Sequence, residues 1–149
     1  MIDQAVRRSG ELFQTGFFCA ESVLLAIAEA KGIRSDIVPK IATGFCSGIA
    51  RTGRTCGALS GGIMAIGMLF GRSTPGESVL DTYDRVRQLL DMFDSKFGST
   101  TCKELIGCDL GTEEGRKYFQ ESDLRQRCTR ITEETTRMAM NLIDGPGAA

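Results

Sequence analysis

Sulfur is the natural agent of any chemistry in this chain, which holds six cysteines and no histidine. Histidine is the side chain that titrates near neutrality, the usual general base and the commonest metal ligand. Without it a serine nucleophile has no ordinary activator. The cysteines are Cys19, Cys46, Cys56, Cys102, Cys108 and Cys128. Three chemistries fit them: thiol–disulfide exchange, a thiolate-ligated cluster, or none, with the thiols inert and buried.

Cys56 is the strongest candidate. It opens the glycine-rich segment Thr55-Cys56-Gly57-Ala58-Leu59-Ser60-Gly61-Gly62, and with Thr55 as N-cap it stands at the first position of a helix. There the macrodipole and unpaired amides favour a thiolate, and Arg51 and Arg54 just upstream add positive potential. Gly57 and Gly61 lie four apart on one face, bare of side chains, so a second helix, another sulfur or a cofactor can come close there. The competing reading makes the glycines packing residues and Cys56 a small buried one. Cys19, Cys102 and Cys128 also fall at expected helix starts. Cys46 and Cys108 read as loop cysteines, with a resolving role as the alternative.

These residues need elements to hold them. Apolar periodicity predicts helices over residues 2–15, 19–30, 56–70, 78–97, 102–106, 112–120 and from Cys128 or Thr129 to Ile143. A short helix from Ser35 or Asp36 through Ile41 is also expected, shortened or kinked by Pro39. Residues 44–54 read as a glycine-rich loop, and residues 145–149 as a disordered tail. No strand pattern and no repeat stand out. The expectation is a single all-α domain over residues 1–144, a bundle of six to seven helices around the apolar helix 56–70. That helix carries no charge on any face and therefore has to be buried nearly all round.

Composition narrows the function. With 18 basic and 19 acidic residues the net charge is −1, which gives no case for nucleic-acid binding. Residues 1–20 hold no apolar run of a signal peptide, and the uncharged run from Cys56 to Gly71 is too short and glycine-rich for a membrane span. A cytoplasmic location is expected, where cysteines tend to be catalytic, redox-sensing or metal-binding. CxxC, CxxCH and zinc-ligand spacings are missing, though four dispersed thiolates can hold an iron–sulfur cluster. Asp81, Asp84, Asp91 and Asp94 read as a solvated helix face, and Met64, Met68 and Met92 as core.

The chain resembles the C_GCAxxG_C_C family of redox-active proteins. The likeness rests on Phe18-Cys19-Ala20-Glu21-Ser22, on Gly53-Arg54-Thr55-Cys56-Gly57-Ala58-Leu59-Ser60-Gly61, on Lys96-Phe97-Gly98-Ser99 with Cys102-Lys103-Glu104-Leu105-Ile106-Gly107, and on Cys128. The family name spells GCA where this chain reads Cys56-Gly57-Ala58, and Cys56 to Gly61 is taken as the equivalent. The resemblance implies that Cys19, Cys56, Cys102 and Cys128 are the family's four cysteines, and that Cys46 and Cys108 are additions of this chain. It implies redox activity without a substrate. A related domain in a cytochrome-containing family, for which an iron–sulfur centre has been proposed, keeps a cluster in view.

The leading expectation is a thiol–disulfide redox protein, in the manner of a thiol–disulfide oxidoreductase. Cys56 attacks, and Cys19, Cys102 or Cys128 resolves. It needs no cofactor, and its partner is an unknown redox protein or a small thiol. One rival is an iron–sulfur electron carrier or sensor ligated by the same four residues. The other is a non-catalytic helical interaction protein, for instance a homodimer, whose cysteines only pack.

Overall fold

The charge-free stretch after Cys56 does become the helix that the others surround. In the computed structural model, which describes residues 1–145, the chain forms α1 (Ile2–Gln14), α2 (Cys19–Ala30), a 3-10 turn (Lys40–Phe45), α3 (Cys46–Arg51), α4 (Gly57–Phe70), α5 (Leu80–Phe97), α6 (Cys102–Ile106), α7 (Glu113–Glu121) and α8 (Leu124–Asp144). The architecture is all-α, and no named strand occurs among the described residues. Residues 146–149, most of the expected tail, lie outside the described residues. α4 packs on α2, α5 and α8, while α1 lies across α2 and α8. The core is built from Val23, Leu24 and Ile27 of α2, Leu59 and Ile66 of α4, Leu89 and Phe93 of α5, and Ile131 and Met140 of α8. No described helix is long and apolar enough to cross a membrane.

Close approach explains Gly61 of α4. A Cβ on Gly61 would stand 2.6 Å from the carbonyl oxygen of Ala20 and 3.1 Å from Val23. Helix α2 thus lies directly on the bare face of α4.

Some expected elements differ. No helix runs from Ser35 to Ile41. Pro39, which cannot donate a backbone hydrogen bond, is followed instead by the 3-10 turn. α8 starts four residues before Cys128, so that thiol sits inside the helix rather than at its start. Met92 is exposed rather than core, because only Leu89 and Phe93 of α5 are fully buried.

The segment read as a loop holds the least expected feature. α3 is a left-handed turn: φ is 59° at Ser47, 66° at Gly48, 62° at Ile49 and 53° at Ala50, and 67° at Arg51. Left-handed backbone costs an L-residue roughly 1–2 kcal/mol, and only Gly48 escapes that cost. The surroundings hold the turn in place. Arg54 N–H donates to the Gly48 carbonyl at 2.9 Å, and the Thr52 hydroxyl donates to Gly48 at 2.9 Å and Ile49 at 2.8 Å. Ala50 is exposed, so Ala50→Gly should relieve strain without loss of packing. We expect it to stabilise the protein by about 1 kcal/mol in chemical denaturation, and Ala50→Val to destabilise it.

Candidate functional site

Backbone pairing brings the first two thiols together. Thr55 and Thr101 form an isolated antiparallel bridge. Cys56 N–H donates to the Thr100 carbonyl at 2.8 Å, and Cys102 N–H to the Arg54 carbonyl at 2.7 Å. Cys56 and Cys102 flank the bridge on the same side, since alternate residues of extended chain share a face. Cys19 arrives from the start of α2 and Cys128 from the second turn of α8. All four line one cavity of about 80 Å³. Its other walls are mostly apolar, from Phe13, Phe18, Leu105, Ile106, Leu110, Phe119 and Ile131, with Ser47 and Arg125 as polar members. Arg125 also donates to the Phe13 carbonyl at 3.3 Å.

The four thiols are not equivalent. Cys19 is held down to about 7, first by a hydrogen bond from the Cys46 thiol and then by the backbone amides of Ser47, Ala20 and Cys19 itself, which outweigh its burial. Its sulfur rests against Gly57, where a Cβ would collide with it. The left-handed turn after Cys46 is what delivers the Ser47 amide.

Cys56 behaves in the opposite way to its expected role as the low-pKa thiol. It is the N-cap of α4 rather than its first residue. Burial pushes its thiol well up, the Cys19 charge adds to that, and the amides of Leu59 and Ala58 only partly offset it. Neither Arg51 nor Arg54, both exposed, figures among its main influences. Burial likewise raises Cys102 to about 11 and Cys128 to about 12, in both cases with the Cys19 charge as the second cause.

Cys46 is the residue that sequence reasoning undervalued. It is buried, and its thiol donates to Glu21 Oε1 and to the Ala42 carbonyl, each at 3.6 Å. Its thiol is pushed strongly up, first by its hydrogen bond to Cys19 and then by burial. Glu21 also accepts from Phe18 N–H at 3.0 Å and from the Thr43 hydroxyl at 2.9 Å. Nothing in the spacing of Cys19 and Cys46 signals this pairing, because the left-handed turn creates it. Cys108 is half-buried and off the cavity wall; burial and Asp109 raise its thiol.

The close-approach face at Gly57 and Gly61 is occupied by protein. Gly57 admits the Cys19 sulfur and Gly61 admits the α2 backbone, and Gly57 also lines the cavity beside the four thiols. Asp81 and Asp84 pair with Arg85 at 3.0 Å and Arg87 at 2.6 Å on an outer face.

Residues 17–142 match the family described as "Putative redox-active protein (C_GCAxxG_C_C)". The chain is similar to an uncharacterised protein of Archaeoglobus fulgidus, 31% identical over 129 residues that cover 80% of this chain and 85% of the relative. No solved structure matches the chain. The matched span holds all four cavity thiols, and the chain belongs to the C_GCAxxG_C_C family.

Proposed function

We propose that this protein performs thiol–disulfide exchange, with Cys19 as the attacking thiol on the wall of an apolar cavity. One observation carries the reading: Cys19 alone among the six is brought down to about 7, so about half of it is thiolate at neutral pH. The thiolate attacks one sulfur of a disulfide on a small molecule or partner protein. A mixed disulfide forms on Cys19 and the other sulfur leaves as a thiolate. A reducing compartment such as the cytoplasm keeps the thiols ready for this.

A second reading has one observation in its favour. Four thiols around a single apolar cavity match the donor set of an iron–sulfur cluster. Among the described residues, no three of the Cys, Asp and Glu side chains are grouped closely enough for a single metal ion. Cys19, Cys56, Cys102 and Cys128 would hold the cluster, which would supply one-electron transfer.

Anaerobic purification followed by an absorption spectrum, iron analysis and thiol counting separates the two. We expect colourless, iron-free protein that loses one thiol pair on oxidation by one equivalent of a small disulfide. Cys19→Ser should lose none, and Cys56→Ser should still lose the pair. A brown preparation with stoichiometric iron, bleached in any of the four cysteine variants, would establish the cluster instead.

A further inference from the structure

Once Cys19 carries a mixed disulfide, a second thiol has to release it. Three thiols share the cavity with Cys19, yet none of them is among the main influences on its sulfur, where the Cys46 thiol, from outside the family's four, comes first. We propose that Cys46 resolves the mixed disulfide on Cys19, so that the working redox couple of this chain is Cys19–Cys46. This rests on the reading of Cys19 as the attacking thiol.

The geometry is specific. Cys46 Cα and the Cys19 sulfur both lie within contact distance of the point where a Gly57 Cβ would stand. That bare α-carbon is the floor on which the two residues meet, and any side chain there would part them. Cys46 is buried and does not line the cavity, whereas Cys19 does. An incoming disulfide therefore meets Cys19 first, and Cys46 lies behind it. This is the order an attacking and a resolving thiol need.

The chemistry balances with a disulfide substrate as the oxidant. Cys19 thiolate attacks RS–SR, the S–S bond breaks, Cys19–S–S–R forms, and RS⁻ leaves. Cys46 gives its proton to Glu21, whose Oε1 already accepts its hydrogen bond at 3.6 Å. Its thiolate then attacks Cys19 Sγ, the mixed disulfide breaks, Cys19–Cys46 forms, and the second RS⁻ leaves. The substrate gains two electrons and the protein loses two.

The environment times the second step. The interaction with Cys19 is the first cause that keeps Cys46 protonated, ahead of burial, and it is lost when Cys19 is capped. Cys46 thus gives up its proton more readily once a mixed disulfide is there to attack.

The test treats reduced, anaerobic protein with one equivalent of 4,4′-dithiodipyridine, reading thiopyridone release, intact mass and a tryptic map. Trypsin places Cys19 in peptide 9–31 and Cys46 in peptide 41–51. The parent should release two thiopyridones for each molecule of reagent consumed and yield these two peptides cross-linked. In Cys46→Ser the first release should persist, slowed only as far as loss of the Cys46 thiol raises the Cys19 thiol and lowers its thiolate fraction. The second should slow by on the order of 100-fold, as expected when an intramolecular partner is removed, leaving a pyridyl adduct on 9–31. A parent cross-link from 9–31 to the peptide of Cys56, Cys102 or Cys128 overturns Cys46 as the resolving thiol, as does an undiminished second release in Cys46→Ser. That leaves Cys19 as the attacker. A first adduct on another peptide with Cys19 untouched overturns the Cys19 reading, and the couple with it. The parent cross-link decides the matter even if the variant folds poorly.

Discussion

Cys19→Ser should remove the lower step in the pH profile of alkylation. In the parent, iodoacetamide should label peptide 9–31 at a rate half-maximal near pH 7, because the Cys19 thiol is held at about 7. Below that pH the rate should fall about tenfold per unit as the thiolate is protonated. Cys102 stands at about 11, so at pH 7 its thiolate fraction is ~5,000-fold smaller. The more basic thiolate is intrinsically about 40-fold more nucleophilic. Cys19 should therefore outpace Cys102 by on the order of 100-fold, measured peptide by peptide. Cys56→Ser should leave the step near pH 7 in place. If Cys56→Ser abolishes the step and Cys19→Ser keeps it, the attacking role belongs to Cys56.

Three alanine substitutions in one helix should give effects of opposite sign. Within a helix, Gly→Ala normally stabilises by roughly 0.5–1 kcal/mol. Gly67→Ala should do so, since a Cβ there meets nothing within 4 Å. At Gly61 the new methyl would press on the Ala20 carbonyl, 2.6 Å away. Backbone cannot swing aside as a long side chain can, so α2 has to shift, and overpacking of that kind costs about 1–3 kcal/mol. At Gly57 the methyl would displace the Cys19 sulfur and crowd the Phe45 carbonyl at 3.1 Å. Gly57→Ala should therefore both destabilise the fold by about 1–3 kcal/mol and move the alkylation step upward, as Cys19 leaves the Ser47 amide. Urea denaturation of the three variants beside the alkylation profile checks this. A Gly57→Ala protein with an unchanged pH profile would show that the sulfur does not rest on that glycine.

Much of the architecture was legible in the residues. The charge-free run after Cys56 marked the buried helix, and Gly98 and Gly107 marked the ends of α5 and α6, where φ is 80° and 70°. The convergence of four cysteines was legible through the family resemblance. Their roles were not. A helix start favours a thiolate, but at Cys56 desolvation outweighs the amides. At Cys19 the decisive donors come from Cys46 and Ser47, on another segment. That segment was opaque because its backbone runs against its residue types: Ile49 and Ala50 have no preference for left-handed conformations. The start of α8 was missed because Arg125, Gln126 and Arg127 form a polar first turn without apolar periodicity.

The bridge between Thr55 and Thr101 joins stretches far apart along the chain, and the first cause that lowers the Cys19 thiol, Cys46, together with the Ser47 amide, comes from beyond the helix that carries it. Contacts of long sequence separation form slowly, because loop closure precedes any reward. A chain folded only as far as α2 lacks the Cys46 and Ser47 donors at Cys19. If Cys19 is the attacking thiol proposed above, its reactivity should arrive late in folding, and the speed with which it reacts should serve as a clock for the completion of the fold.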